Sequence, residues 1–97
     1  MTEIPEEVMQ RAAELFKMLG DPTRVQILLL LADKEMNVND LAEILNKSVS
    51  SISHKLRLMR GLQILKYKRD GRNVIYSLAD NRIRDAIRII VDYIKTQ

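Results

Sequence analysis

The chain contains no cysteine and no tryptophan, and His54 is its only histidine. Without thiols, the sequence excludes disulfides, thiolate metal sites and thiol redox chemistry. A tetrahedral zinc site needs a cluster of histidine, cysteine or carboxylate ligands, which a single histidine does not supply. We therefore expect neither a bound metal nor any other cofactor.

Signatures of catalysis are also missing. Only three glycines are present, and none belongs to a loop of the kind that cradles phosphate. Ser53 and His54 are adjacent on a predicted helix, where neighbouring side chains do not face each other, so they form no nucleophile–base pair. These features argue against an enzyme.

Long apolar runs are absent as well. The stretch at residues 28–32 is far shorter than the roughly 20 residues that a membrane span requires. The first seven residues are acidic and lack the basic and apolar regions of a signal peptide, so we expect a cytoplasmic protein with no membrane partner. A length of 97 residues, with 46% hydrophobic and 30% charged side chains, predicts one globular domain over residues 1–97.

Basic side chains are concentrated in one block of the chain. Residues 1–46 carry four basic and nine acidic side chains, a local charge of −5, and residues 73–97 carry four and three, a charge of +1. Residues 47–72 carry eight basic side chains against Asp70 alone, a local charge of +7. Such segregation is typical of a surface that binds a polyanion. A solvated basic face is the plainer alternative.

Apolar periodicity predicts three helices in the first half of the chain. The first covers residues 6–19 and ends at Gly20. Asp21 is a good N-cap and Pro22 suits the first helical position, so a second, largely apolar helix follows over residues 22–32. Asn37 caps a short third helix. The apolar residues of the first helix are Val8, Ala12, Leu15, Phe16 and Leu19, and we expect Phe16 in the core. Those of the third helix are Leu41, Ile44 and Leu45, which we expect to form a buried stripe.

A fourth helix and a β-hairpin follow. Ser48 is the natural N-cap of this helix after a turn at Asn46-Lys47, and its predicted inward side chains are Ile52, Leu56, Leu58 and Met59. The side chains left on its outer face are Ser50, Ser51, His54, Lys55 and Arg57. Two short helices joined by a tight turn, the second with a polar outer face, form the helix-turn-helix pattern. From residue 64 onward, apolar residues alternate with polar ones instead of recurring at helical spacing. Asp70-Gly71 predicts the turn of a β-hairpin whose strands pair Tyr67 with Tyr76.

The last helix begins at about Asp80 and is unusually apolar. Its apolar set is Ile83, Ala86, Ile87, Ile90, Val91 and Ile94, a stripe wider than a terminal surface helix requires. Exposed apolar area of this kind usually marks an interface.

Several motifs in this order resemble the ArsR/SmtB family of winged-helix repressors. The segments that carry the resemblance are residues 16–28 (FKMLGDPTRVQIL), residues 40–42 (DLA), residues 48–56 (SVSSISHKL) and residues 69–78 (RDGRNVIYSL). The resemblance implies a mainly α fold with a β-hairpin wing, in the order α1-α2-α3-αR-β-β-α5, where αR is the recognition helix. It also implies a homodimer that binds a double-stranded DNA operator and represses transcription.

The resemblance assigns roles to individual residues. The implied DNA contacts are Lys47, Ser48, Ser50, Ser51, Ser53, His54, Lys55 and Arg57 around the recognition helix, with Arg69, Arg72 and Asn73 on the wing. The implied dimer interface is formed by Val8, Ala12 and Leu15 of the first helix and by Ile83, Ile87, Ile90 and Ile94 of the last. A two-fold dimer predicts a pseudo-palindromic operator with half-sites about 34–36 Å apart or a multiple of that spacing.

The metal-sensing positions of the family are not retained here. Asn37 and Asn39 stand where one family site has cysteines, and amide oxygens are poor ligands for soft transition metals. A second family site begins at the position of Asp80, but its other positions are Arg82, Tyr93 and Thr96, and arginine is always cationic. The inducer therefore stays open: a small molecule, a protein, or none. A small-anion pocket at the dimer interface could be framed by Tyr93 and Asp92 with Arg82, Arg84 and Arg88. The helical spacing of Arg84 and Arg88 from neighbouring aspartates favours ion pairs instead.

Two other functions compete with sequence-specific DNA binding. One is a winged-helix module that binds protein, although its outer face largely lacks the Trp, Tyr and Arg that are common at hot spots. The other is a non-specific nucleic-acid binder, which would need aromatic platforms for stacking, and aromatic residues make up only 4% of the chain. The sequence favours a dimeric, sequence-specific transcriptional regulator.

Overall fold

The computed structural model describes residues 3–97 as five helices and one β-hairpin. The helices are α1 (Glu6–Met18), α2 (Pro22–Asp33), α3 (Val38–Leu45), α4 (Val49–Gly61) and α5 (Asn81–Lys95), and the strands are β1 (Leu65–Asp70) and β2 (Asn73–Leu78). The hairpin lies between α4 and α5, so the predicted winged helix-turn-helix order is confirmed. Within residues 3–97, no helix has both the length and the apolar character needed to cross a membrane.

The junction of α1 and α2 follows the predicted caps with one correction. The side chain of Asp21 accepts a hydrogen bond from the backbone N–H of Arg24 at 3.0 Å, and Pro22 opens α2. However, α1 ends at Met18 with Leu19 as its C-cap. Gly20 does not adopt the left-handed conformation that favours glycine at a helix end, since Gly71 is the one glycine with positive φ in the described part of the chain.

The core is formed where α2, α3, α4 and the hairpin meet. Six side chains are almost fully inaccessible: Ile27, Leu28, Leu41, Ile52, Leu56 and Met59. None of α1 is buried; its residues Leu15 and Met18, with the C-cap Leu19, pack against the core from outside. Ile52, Leu56 and Met59 are among the six inaccessible side chains, so the prediction that they face inward from α4 is confirmed.

Three predicted core residues are instead exposed. Phe16 is 65% exposed because α1 turns Leu15 and Met18, not Phe16, toward the core. Ile44 lies off the stripe through which α3 packs, and it is 55% exposed. Leu58 is two residues beyond Leu56, so it points to nearly the opposite side of α4.

The hairpin forms the wing with a turn one residue later than predicted. Asp70 pairs with Asn73, so the two-residue loop is Gly71-Arg72. Of these two, only Gly71 has positive φ, at 63°, which is the arrangement of a type II′ turn. Tyr67 and Tyr76 are opposite each other as predicted, with ring centroids 6.2 Å apart.

The free edge of β2 is also hydrogen-bonded near the base of the wing. The N–H of Met36 donates to the carbonyl of Tyr76 at 3.1 Å, and the N–H of Tyr76 donates to the carbonyl of Met36 at 2.8 Å. The segment between α2 and α3 thereby holds the hairpin against the core.

Candidate nucleic-acid interface

Two caps and one left-handed residue set the geometry of the helix-turn-helix. The side chain of Asn37 accepts from the N–H of Asp40 at 2.8 Å and begins α3. Asn46 ends α3 in the left-handed conformation, with φ 54°, and the N–H of Lys47 bonds back to the carbonyl of Ala42 at 3.0 Å. Asparagine tolerates this conformation better than other side chains. The chain can therefore place the N-cap of α4, Ser48, two residues after Asn46.

The outer face of α4 carries the predicted polar side chains. The Ser48 Oγ atom accepts from the N–H of Ser51 at 3.1 Å, so this hydroxyl oxygen is the N-cap. Lys55 Nζ donates to Ser51 Oγ at 3.4 Å. The predicted DNA-contacting residues divide by exposure: Lys47, Ser48, Ser50, His54, Arg57, Arg69, Arg72 and Asn73 are exposed, whereas Ser51, Ser53 and Lys55 are half-buried.

The positive charge of residues 47–72 is almost wholly uncompensated. Among the described residues, ion pairs involve one of its eight cations, Lys68, whose Nζ lies 3.1 Å from an oxygen of Glu35. Seven cations on α4, its preceding turn and the wing therefore have no ion-pair partner in the part of the chain that the structure describes. The guanidinium of Arg60 is stacked 4.5 Å above the ring of Tyr67, which links the end of α4 to the wing. This pair was not predicted from the sequence, because the two residues come together only through the turn after α4.

That turn contains a second unpredicted feature at Gln63. Gln63 has φ 64°, and the next N–H, that of Ile64, donates to the carbonyl of Met59 at 3.2 Å. This bond is the mark of a Schellman ending, where glycine is the usual left-handed residue. Gln63 Oε1 also accepts from Arg11 Nη2 at 2.9 Å. The end of the recognition helix is thus hydrogen-bonded to α1.

A broad apolar surface lies on α1 and α5. Of the predicted interface residues, Val8, Ala12, Ile90 and Ile94 are exposed, Leu15 and Ile83 are half-buried, and Ile87 is buried within the protomer at 7% exposure. The predicted interface omitted four exposed apolar side chains, Met9, Phe16, Ile89 and Tyr93, of which Phe16 was predicted in the core. Helix α5 is therefore apolar on two sides, one turned toward the core and one toward solvent. A groove of about 250 Å³ between the two helices has Ile64 among its lining residues.

The start of α5 is built around an ion pair. Two nitrogens of the Arg82 guanidinium donate to the two oxygens of the Asp80 carboxylate, both at 2.9 Å, and the Arg82 N–H donates to the same group at 2.7 Å. The side-chain bonds first, and the backbone bond second, hold the pKa of Asp80 well below its usual range. The same pairing raises the pKa of Arg82.

The other arginines of α5 also form ion pairs. Arg84 bonds to Asp85 at 3.0 Å, within the helix. Arg88 bonds to Asp33 of α2 at 3.1 Å, not to an aspartate of its own helix as the spacing suggested. Within residues 3–97, no group of three or more His, Cys, Asp or Glu side chains is placed to hold a metal ion. Asn37, at one family metal position, is used as a helix cap.

Comparisons with known proteins agree with this geometry. The family model described as bacterial regulatory protein, arsR family, matches residues 21–67. The transcriptional repressor SmtB homolog of Synechocystis sp. is 43% identical over 89% of this chain, and the chain spans 65% of the length of that relative. The transcriptional repressor SdpR of Bacillus subtilis is 36% identical over 82% of this chain and 89% of its own length.

A solved structure shares the whole architecture. The homodimeric winged helix-turn-helix DNA-binding domain Mb0332 from Mycobacterium bovis superposes with a TM-score of 0.85, covering 98% of this chain and 91% of that domain, at 20% identity. At that identity, the likeness concerns the fold alone.

Proposed function

The chain belongs to the ArsR family of bacterial regulatory proteins, and from this premise we propose that it is a dimeric repressor of transcription that binds a pseudo-palindromic DNA operator. The observation that carries the proposal is the exposed polar face of α4 beside seven cations without an ion-pair partner in the described part of the chain. Two relatives are named transcriptional repressors. Acting on an operator, the protein would work in the cytoplasm.

The recognition helix and the wing have different tasks in this proposal. Small hydroxyl side chains at the start of α4, with His54 one turn later, approach base edges in the major groove. Lys47, Lys55 and Arg57 bind phosphates beside the groove. Arg69, Arg72 and Asn73 bind the neighbouring backbone from the wing, contacts that fix position but carry no sequence information.

A homodimer is the second part of the proposal. The apolar surface of α1 and α5 is large for a free monomer surface, and the Mycobacterium bovis domain of the same fold is described as homodimeric. The proposed contact adds the exposed residues Met9, Phe16, Ile89 and Tyr93 to the predicted set, while Ile83 and Ile87 support it from within the protomer. Two-fold pairing would place the recognition helices in successive major grooves.

Fluorescence anisotropy with duplex from the promoter of its own gene tests the function. Operator binding is expected to be 10³–10⁷-fold tighter than binding to random duplex of equal length. Equal affinities would leave a non-specific nucleic-acid binder, and no binding to either duplex would favour the protein-interaction module.

The assigned residues are tested by substitution. Arg72→Ala is expected to weaken binding to all sequences and to lower the slope of log affinity against log salt by about one unit. Lys95→Ala is the matched control: it removes one positive charge from α5, outside the proposed DNA contacts, and should leave the slope unchanged. Ser51→Ala and His54→Ala are expected to cost about 1–3 kcal/mol on the operator and little on random duplex.

A further inference from the structure

The first turn of the recognition helix carries one exposed apolar side chain. Val49 is 47% exposed and is the first residue of α4, directly after the Ser48 cap. The two residues that follow are serines. The Cα–Cβ bonds of a helix tilt toward its N-terminus, so the side chain of its first residue projects ahead of the helix.

Neither folding nor the proposed dimer accounts for this valine. Helix α4 is already capped by Ser48, and β-branched side chains are only moderate helix formers. The other exposed side chains of this type on α1 and α5, such as Phe16 and Tyr93, belong to the proposed dimer surface. Val49 lies on α4, which is not one of the two helices of the proposed dimer contact.

We propose that Val49 is a specificity-determining residue that contacts the 5-methyl group of a thymine in each operator half-site. This inference rests on the proposed function. The N-terminal residues of a recognition helix contact base edges, and an isopropyl group neither donates nor accepts a hydrogen bond. The thymine methyl is the one apolar feature that base edges present in the major groove. Removing one methyl-sized contact from water is worth about 0.8 kcal/mol, which corresponds to about fourfold in affinity.

Replacement of thymine by deoxyuridine tests the contact, because it removes only the methyl group and keeps the hydrogen-bonding edge. The operator is first selected from a random duplex library with the wild-type protein, and each thymine of one half-site is then replaced in turn. Wild-type protein is expected to lose about fourfold in affinity at one position. Val49→Ala removes the contact from both half-sites, so it is expected to bind the unmodified operator about 16-fold more weakly and to be insensitive to uracil at that position.

Two matched variants complete the design. Ser50→Ala alters the same turn but keeps Val49, and Leu58→Ala removes another exposed apolar side chain from α4; both are expected to keep the sensitivity to uracil. Wild-type binding that no thymine replacement weakens would overturn the inference, as would a Val49→Ala protein that remains as sensitive as wild type. In both cases selective operator binding would still support the proposed function, whereas failure to select any operator would overturn both.

Discussion

Replacement of Gln63 measures the cost of the left-handed residue that ends the recognition helix. A non-glycine residue in this conformation costs roughly 1–2 kcal/mol, and Gln63 holds it at φ 64°. Gln63→Ala and Gln63→Gly both delete the hydrogen bond to Arg11, but only the alanine variant keeps the backbone penalty. Because glycine also gains freedom in the unfolded chain, part of the difference is offset. We expect Gln63→Gly to be more stable than Gln63→Ala by about 1 kcal/mol.

Thermal unfolding followed by circular dichroism provides the assay. For a domain of this size, 1 kcal/mol corresponds to a Tm difference of about 4–8 °C. All variants must be compared at one protein concentration, because the proposed dimerisation would make Tm depend on it. Arg11→Ala is the control, because it removes the donor of the same exposed hydrogen bond. Its free energy of unfolding should fall below that of wild type by about 0.5–1 kcal/mol, the same loss that we expect for Gln63→Ala. A Gln63→Ala protein at least as stable as Gln63→Gly would refute the reasoning.

Three further predictions concern stability. Gly61→Ala should raise Tm by the equivalent of about 0.5–1 kcal/mol, because Gly61 is helical and a Cβ there meets no atom within 4 Å; a lower Tm would contradict this. Leu56→Ala, at a position with 0% exposure, should lose about 2–5 kcal/mol in denaturant unfolding, whereas Leu58→Ala on the outer side of the same helix should stay within about 0.5 kcal/mol. Asp80→Asn keeps a capping oxygen but not the charge, so wild type should be the more stable protein at pH 7. Since pairing with Arg82 lowers the pKa of Asp80 in the folded state, this advantage should be lost as the pH falls below about 4, and an advantage that instead grows in acid would exclude the ion pair as its cause.

Local signals were sufficient to predict the elements of the fold. Asp21, Asn37 and Ser48 each cap the helix that the sequence assigned to them, because a cap bonds to a backbone group only three residues away. The wing was predicted from alternation and one glycine. The turn was predicted one residue too early, because an Asp-Gly pair can fill both loop positions or, as here, can place only its glycine in the loop.

Long-range features could not be predicted in the same way. Phe16, Ile44 and Leu58 are apolar residues at helical spacing, and only packing decides which side of a helix finds a partner. The Arg11–Gln63 and Arg88–Asp33 contacts join residues 52 and 55 positions apart, and no periodicity reports such pairs. The individual DNA contacts stay predictions, since they depend on a partner and not on the chain alone.

Among residues 3–97, the base of the wing is hydrogen-bonded to the rest of the protein, whereas its tip is not. Tyr76 lies opposite Tyr67 of β1, and both its backbone N–H and its carbonyl are hydrogen-bonded to Met36, whereas the loop at Gly71-Arg72 is secured only by the two strands that it joins. A two-stranded hairpin alone is marginally stable in water, so local opening should begin at the loop and stop at Tyr76. Amide hydrogen exchange should accordingly be slow at Met36 and Tyr76 and fast around Arg72. In the proposed DNA complex, a rigid base and a flexible tip of the wing would let Arg72 adapt to the local groove width while α4 keeps its position on the DNA.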